Sequence, residues 1–474
     1  MNTKIKLIVL LFLSSLFLMA CQTKRIENKV SLVLPEHYRG GDNIDSTTNM
    51  GDIPWRDFFR DDVLATLIDT AIRQNIDMQL AVKNIEASQL MLRQAKAAYL
   101  PTLQLQINAN STNPSNNSLN GLSLGEFLKQ NHIEDYTTAL SLSWEADIWG
   151  KIRHQKAAAL ASYLQTEEAK RAIQTQLVAQ VAQGYYQLLM LYQLHQIAVQ
   201  NHDLSDSTLR IVQHQYEVGD ISLLAVEQVA AQKLAAASLI PDFEQQIQIQ
   251  ENAISILSGK LPEKIQMKGN LNEVILPTQV SSGVPAQLLN RRPDVKQAEL
   301  AVTTAQANQH AARAKMYPSL IISAEAGVNA FKASNWFNIP ASLFGAVTGS
   351  ITQPILQRKQ LKTQYELAII EQEKSIIVFR QSVVNAVGEV SDALVSIDKL
   401  KEKQDIASDR TNRLRNAIQH ANLLFETGMA NYLEVITAQS NVLQSELELA
   451  QLKKAELVAV VNLYRSLGGG WSTK

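Results

Sequence analysis

Cysteine is almost missing from this chain: one residue, Cys21, in 474. That excludes an intrachain disulfide and any cysteine-based zinc site. Proline (12) and glycine (19) are also scarce, which argues for long uninterrupted elements over many short ones separated by turns. Neither sign of charge dominates, with 44 Lys plus Arg against 45 Asp plus Glu and a net charge of -1, so there is no electrostatic case for a nucleic-acid partner. Catalytic signatures are missing too: there is no His-Glu-x-x-His, no P-loop and no Gly-x-Gly-x-x-Gly after a strand. The eight histidines are scattered, and His195 falls on an apolar seam where packing outweighs metal ligation. Gly468, Gly469 and Gly470 close the sequence and read as a flexible tail. The expectation is a protein that is not an enzyme, holds no cofactor and takes any energy it needs from a partner.

What is present begins at the N-terminus. Lys4 and Lys6 precede an apolar run from Leu7 to Ala20, the length of a signal-peptide core and too short to cross a bilayer comfortably as a helix. Residues 1–20 therefore read as a secretion signal. The run ends Leu18-Met19-Ala20-Cys21, which resembles a bacterial lipobox. Acylation of Cys21 would make it the first residue of a mature chain of 454 (474 minus 20), with the covalent lipid as its only non-protein group. The competing reading is a soluble periplasmic protein with an incidental cysteine near an ordinary cleavage site. Gln22, where lipoproteins retained at the inner membrane carry Asp, implies sorting to the outer membrane.

The rest of the sequence is written twice. Ala97-Ala98-Tyr99-Leu100-Pro101-Thr102-Leu103 parallels Ala314-Lys315-Met316-Tyr317-Pro318-Ser319-Leu320, and Gln215-Tyr216-Glu217-Val218-Gly219 parallels Leu424-Phe425-Glu426-Thr427-Gly428. After the signal come an N-terminal segment (21–70), a first repeat (71–257), a linker (258–292), a second repeat (293–466) and a tail (467–474). Each repeat reads helix, strand, loop, strand, very long helix, Gly turn, shorter helix.

Four segments alternate with period two, as strands with unlike faces do, at 102–112, 136–147, 319–330 and 344–355. Leu103, Leu105, Ile107 and Ala109 oppose Gln104, Gln106, Asn108 and Asn110; Leu140, Leu142 and Trp144 oppose Ser141, Ser143 and Glu145. Leu320, Ile322, Ala324, Ala326 and Val328 oppose Ser319, Ser323, Glu325 and Asn329, with Ile321 out of place; Val347, Ile351 and Ile355 oppose Thr348, Ser350 and Thr352. Each is 11 or 12 residues, and about 9 to 11 are enough to cross a bilayer on a tilt. Polar loops at 113–135 and 331–342 separate them, and Tyr99, Tyr136, Trp149, Tyr317, Trp336 and Phe337 near the strand ends fit interfacial belts or ordinary packing.

The helical half has its own pattern. Leu177, Val181, Tyr185, Leu188, Tyr192, His195 and Ala198, and again Ile376, Phe379, Val383, Val387, Val390, Leu394 and Ile397, recur at steps of three and four, the spacing of a coiled-coil seam. The helices they mark span 151–215 and 357–424, roughly 97 Å for about 65 residues. Return helices at 222–257 and 431–466 are shorter. A helix at 72–99 placed end to end with the first of them would match one long helix.

Four membrane strands cannot close a barrel, and open edges are not tolerated in lipid. Two copies supply about eight strands, whose interior fills with side chains, whereas three supply about twelve and begin to leave a lumen.

Taken with the lipobox, the duplication and the Gly turns, Trp144-Glu145-Ala146-Asp147-Ile148-Trp149-Gly150-Lys151 and Leu289-Asn290-Arg291-Arg292-Pro293-Asp294-Val295 resemble the TolC-like outer membrane factors of resistance-nodulation-division efflux systems. The resemblance implies a mainly α fold with a membrane β-barrel part: a long α-helical coiled-coil barrel plus four strands per subunit, trimeric and twelve-stranded. It also implies an equatorial domain near residues 22–70, 258–292 and 465–474, and a homotrimer in outer-membrane lipid that meets a periplasmic adaptor and an inner-membrane efflux pump. By the same resemblance the turns at Gly219 and Gly428 form a periplasmic gate. Glu434 falls on a carboxylate position of the family, with Asp220 and Glu426 nearby, while Thr437 and Ala225 stand where other acids are found. The expected function is a passive exit duct for drugs and other small toxic molecules. A type I protein secretion channel and a non-conducting envelope lipoprotein remain the alternatives.

Overall fold

Few helix breakers give few, long helices. The structure, a computed structural model, describes residues 35–39, 49–274 and 282–472; the signal at 1–20 and Cys21 lie outside these described residues. The first repeat comprises α1 (Asp62–Gln74), α2 (Ile76–Ala97), β1 (Thr102–Thr112), β2 (Ile133–Ala146), α3 (Lys151–Glu217) and α4 (Leu223–Leu257). The second comprises α5 (Pro293–Ala314), β3 (Ser319–Ala330), β4 (Leu343–Thr352), α6 (Gln360–Glu426) and α7 (Tyr432–Ser466). The duplication is visible in the lengths: α3 and α6 have 67 residues each, α4 and α7 35 each, α2 and α5 22 each. At 1.5 Å per residue each long helix runs roughly 100 Å.

α3 packs along α2, α4, α5 and α7, and α6 packs along α5 and α7. The helical wall therefore has two levels in register, α2-α3-α5-α6 on the side of the sheet and α4-α3-α7-α6 on the side of the Gly turns. The apolar seam faces inward, with Leu177, Val181, Tyr185, Leu188 and Ala198 of α3 and Val383, Val390 and Leu394 of α6 all buried.

The two levels join at matching points. Asn75 caps α2 by accepting from Met78 N (3.1 Å), and its Nδ2 donates to the carbonyl of Leu257, the last residue of α4 (3.0 Å). Arg292 precedes Pro293 at the start of α5, and its Nη1 donates to the carbonyl of Ser466, the last residue of α7 (3.1 Å). A glycine seals each joint: a Cβ at Gly259 would lie 2.1 Å from the Gln74 carbonyl oxygen, and one at Gly468 2.8 Å from that of Arg291. Short helices stacked end to end beside one long helix thus occur in both repeats.

Around these joints lie the largest fully buried side chains, among them Trp55, Phe58, Phe59, Tyr185, Tyr186 and Tyr464. Phe58 and Tyr464 stack at 4.0 Å between ring centroids, Phe59 meets Phe58 edge-on at 4.8 Å, and Tyr464 Oη donates to the Ile53 carbonyl at 2.6 Å. Tyr185 Oη donates to Asp61 (2.6 Å), which also caps α1 through Val63 N and Leu64 N. Burial pushes Tyr185, Tyr186 and Tyr464 well above the usual phenol range, and burial with the hydrogen bond to Glu251 takes Tyr192 up to about 12.

Several expectations change here. The helix at 72–99 is two helices, because Asn75 turns to an extended ψ of 135° to cap α2, and α1 begins at Asp62, inside the segment assigned to 21–70. β2 starts at Ile133, three residues early, since register with β1 continues to Thr112. β4 ends at Thr352, leaving Ile355 outside the sheet, and α6 starts at Gln360 after Arg358 and Lys359 turn through positive φ. The loop 113–135 contains a helical turn at Leu119–Ser123 and a π turn at Leu124–Leu128, and the linker 258–292 ends in a helical turn at Leu288–Arg291. The glycine run is no loose tail: Gly468, Gly469 and Gly470 are buried, and a Cβ at Gly469 would lie 2.4 Å from the Tyr464 ring. Glycine is needed there for close approach. Beyond it Trp471 receives the Arg171 guanidinium at 4.9 Å over its ring.

Candidate functional site

The strands form one antiparallel meander of order β1-β2-β3-β4. Residues paired across strands share a face, so the register decides which face each side chain takes. One row runs Leu105, Leu140, Ala326, Gly345, and the neighbouring row runs Gln104, Ser141, Glu325, Ala346. Repeated along the strands, this gives one apolar face and one face of Gln, Asn, Ser and Thr with Asp135, Glu145 and Glu325. Ile321, the sequence outlier, lies on the polar face opposite Glu145 and Ser350, and Phe344 joins it there. None of the four strands contains Lys or Arg. Aromatic groups mark both ends of the sheet. Trp149 stacks on Tyr317 at 4.9 Å and donates to the Pro318 carbonyl at 2.7 Å; Tyr136, Trp336 and Phe337 adjoin at 5.1 and 5.2 Å at the opposite end.

Both sides of this unit are open. β1 and β4 each pair on one side, and every residue of β1 is exposed. In the helical wall, α2 packs on α3 and α6 on α5 and α7. Their outer faces carry Leu80, Leu90 and Met91 on α2 and Leu367, Ile377 and Val384 on α6, all more than half exposed.

At the far end the long helices reverse. Gly219 (φ 88°) and Gly428 (φ 74°) supply the left-handed residue that closes each helix. Asp220 N donates to Gln215 O (2.9 Å) and Gly219 N to Tyr216 O (3.0 Å); Met429 N donates to Leu424 O (2.8 Å) and Gly428 N to Phe425 O (3.1 Å). The two turns pack on one another through Leu209, Val212, Ala225, Val229, Phe425 and Val435. Two hydrogen bonds tie them: Tyr432 Oη to Gln228 Oε1 (2.7 Å) and the buried Gln439 Nε2 to Thr208 Oγ1 (2.7 Å). Asp220, Glu426 and Glu434 are all exposed at this end, and among the described residues none of them makes an ion pair. Asn431 caps α7 through Leu433 N and Glu434 N, fixing where Glu434 begins its helix. The structure thus places the three acids at one tip without joining them in a cluster, and among the described residues no group of three or more His, Cys, Asp or Glu is arranged to hold a metal.

Sequence reasoning missed the polar centre of the second joint. Arg292, 5% exposed, donates to Asp294 (Nη2 to Oδ2, 2.6 Å) and to Glu389 of α6 (2.9 Å), which also receives Arg465 of α7 at 3.2 Å. Burial pushes the Asp294 carboxyl up, but the hydrogen bond and charge of Arg292 outweigh it and hold it below the usual range. Burial likewise opposes the charge on Arg292, and its two carboxylate partners more than compensate. Arg292-Pro293-Asp294 reads in sequence as a helix start, which it is; the remote Glu389 carried no local signal.

A bilayer-length sheet with one apolar and one polar face, open at both edges and carried on helices roughly 100 Å long, defines a subunit of an outer-membrane channel. The chain belongs to the outer membrane efflux protein family, matching it over residues 67–260 and 284–469. It is similar to the cation efflux system protein CusC of Escherichia coli O6:H1, 27% identical over 462 residues, covering 97% of this chain and 98% of the relative. The probable outer membrane lipoprotein SilC of Salmonella typhimurium is 27% identical over 420 residues, covering 89% and 88%. The solved outer-membrane channel OprN superposes with a TM-score of 0.85 at 21% identity, covering 94% of this chain and 98% of that one. The TolC-like fold expected from the sequence is the fold observed, and the protein is an outer-membrane efflux channel of a family of transporters.

Proposed function

We propose that the chain works as a homotrimer, anchored by a lipid on Cys21, and forms the exit duct of a tripartite pump for small toxic molecules. The observation that carries this reading is the pair of open sides. β1 with α2 forms one lateral edge and β4 with α6 the other, each lacking a neighbour and each with exposed apolar side chains on its helix. Joining edge to edge satisfies the strand edges, which lipid cannot. Three copies give about twelve strands and a lumen, whereas two give about eight and a filled interior. The polar strand face then lines the duct and the apolar face meets lipid.

The exposed apolar side chains of α4, among them Leu234 and Ile249, fall to the same subunit interface, opposite the neighbour's α6. The turns at Gly219 and Gly428, with Asp220, Glu426 and Glu434, form the periplasmic aperture, where a periplasmic adaptor docks and passes on cargo from an inner-membrane pump. The chain itself catalyses nothing. The relative named for cation efflux adds cations to the candidate cargo, and the relative named as a lipoprotein supports the lipid on Cys21. Dye accumulation in a deletion strain, with and without the gene restored, tests the duct. Raised accumulation reversed by restoration is expected; unchanged accumulation together with loss of a secreted polypeptide would favour protein secretion instead.

A further inference from the structure

We propose that Glu325 sets a cation preference inside the β-barrel itself, far from the tip. This rests on the trimeric barrel proposed above. Glu325 is the seventh residue of the 12-residue β3, a strand paired on both sides, and so lies at mid-depth of the sheet. The register puts it on the polar face, between Ser141 of β2 and Ala346 of β4, both with small side chains, and Glu325 is half-buried in the single chain. Residues one step above and below on the same face of β3 are Gly327 and Ser323. Glu325 has no ion-pair partner among the described residues.

The other acids on that face are accounted for. Glu145 is held by Lys151 at 2.6 Å, and Asp135 accepts from Asn329 Nδ2 at 2.7 Å. With no Lys or Arg on any of the four strands, the fixed charge at mid-depth is negative only. In the trimer, three-fold repetition makes Glu325 a ring of three like charges in a water-filled lumen with low-dielectric walls. Such a ring raises the local concentration of cations and depletes anions. The species favoured is a small inorganic or organic cation; polar strand side chains without charge would pass either sign equally.

The test is the reversal potential of the full-length protein in planar bilayers under a KCl gradient at low ionic strength, where fixed charges are least screened. Wild type is expected to prefer potassium, Glu325→Gln to move the reversal potential most of the way to zero, and Glu325→Lys to carry it to the anion side. A Glu325→Gln trimer with the wild-type reversal potential overturns the proposal, as does a wild-type trimer without cation preference. Native mass spectrometry of the same samples separates the two levels: a chain that is not a trimer overturns the parent reading and the ring with it, while a trimer with unaltered selectivity overturns the ring alone.

Discussion

Asn75 and Arg292 occupy the same place in the two repeats and reach the same target, the last carbonyl of the return helix, with different chemistry. Asn75 does so with an amide at 3.0 Å, Arg292 with a guanidinium at 3.1 Å that also holds Asp294 and Glu389. The first joint is a neutral cap and the second a buried charge.

That difference predicts unequal costs. Asn75→Ala removes a cap and a neutral hydrogen bond, about 1 to 2 kcal/mol. Arg292→Ala strips Asp294 of its guanidinium partner, leaves the Ser466 carbonyl unpaired and leaves Glu389 with Arg465 alone, about 3 to 5 kcal/mol. Denaturant unfolding in detergent, comparing midpoints, should rank them in that order.

Acid and alkali should attack different residues. Asp294 titrates below its ordinary value, so its contribution is complete above the unfolded carboxylate pKa of about 4 and is lost as pH falls below that. The tyrosines are raised, so their contribution is complete below about pH 10 and is lost as pH rises; for Tyr192 the loss is complete above its folded value of about 12. Unfolding followed by circular dichroism should therefore show Asp294→Asn flattening the acid limb only, and Tyr192→Phe the alkaline limb.

Gly469→Ala should loosen the C-terminal segment, because its Cβ would meet the Tyr464 ring. Gly219→Ala meets open space and pays only for positive φ, about 1 kcal/mol. Limited proteolysis should nick the first variant near its C-terminus and leave the second as wild type.

At the tip, Gln439→Leu removes the buried bond to Thr208, and Tyr432→Phe the bond to Gln228. Both should raise single-channel conductance by weakening contact between the turns. Glu434→Gln should lower the conductance and cation preference of the open tip; unchanged recordings would assign Glu434 to the solvated surface.

Much of this was legible in the sequence because the period of apolar residues differs so sharply between strand and helix. Leu103 to Ala109 announced a face, and the Gly219 and Gly428 turns were placed by the parallel between the two repeats. What stayed hidden was remote. Asn75 looked like mid-helix because its capping partner Met78 and its carbonyl partner Leu257 become meaningful only once the stacked helices meet. Gly468 to Gly470 read as slack because nothing local says that Tyr464 folds back onto them. The acids Asp220, Glu426 and Glu434 were grouped by resemblance, but a turn of the chain sets their common end without setting their separations.

β1 and β4 each leave a row of main-chain amides and carbonyls bare. A solitary copy therefore cannot settle in the bilayer core at all, since lipid offers those groups no partner. In the trimer proposed above, membrane entry and encounter between copies would be a single event, whose rate climbs with the local density of new chains. Until that encounter a lone copy is a hazard to its neighbours, an exposed strand waiting for any other strand.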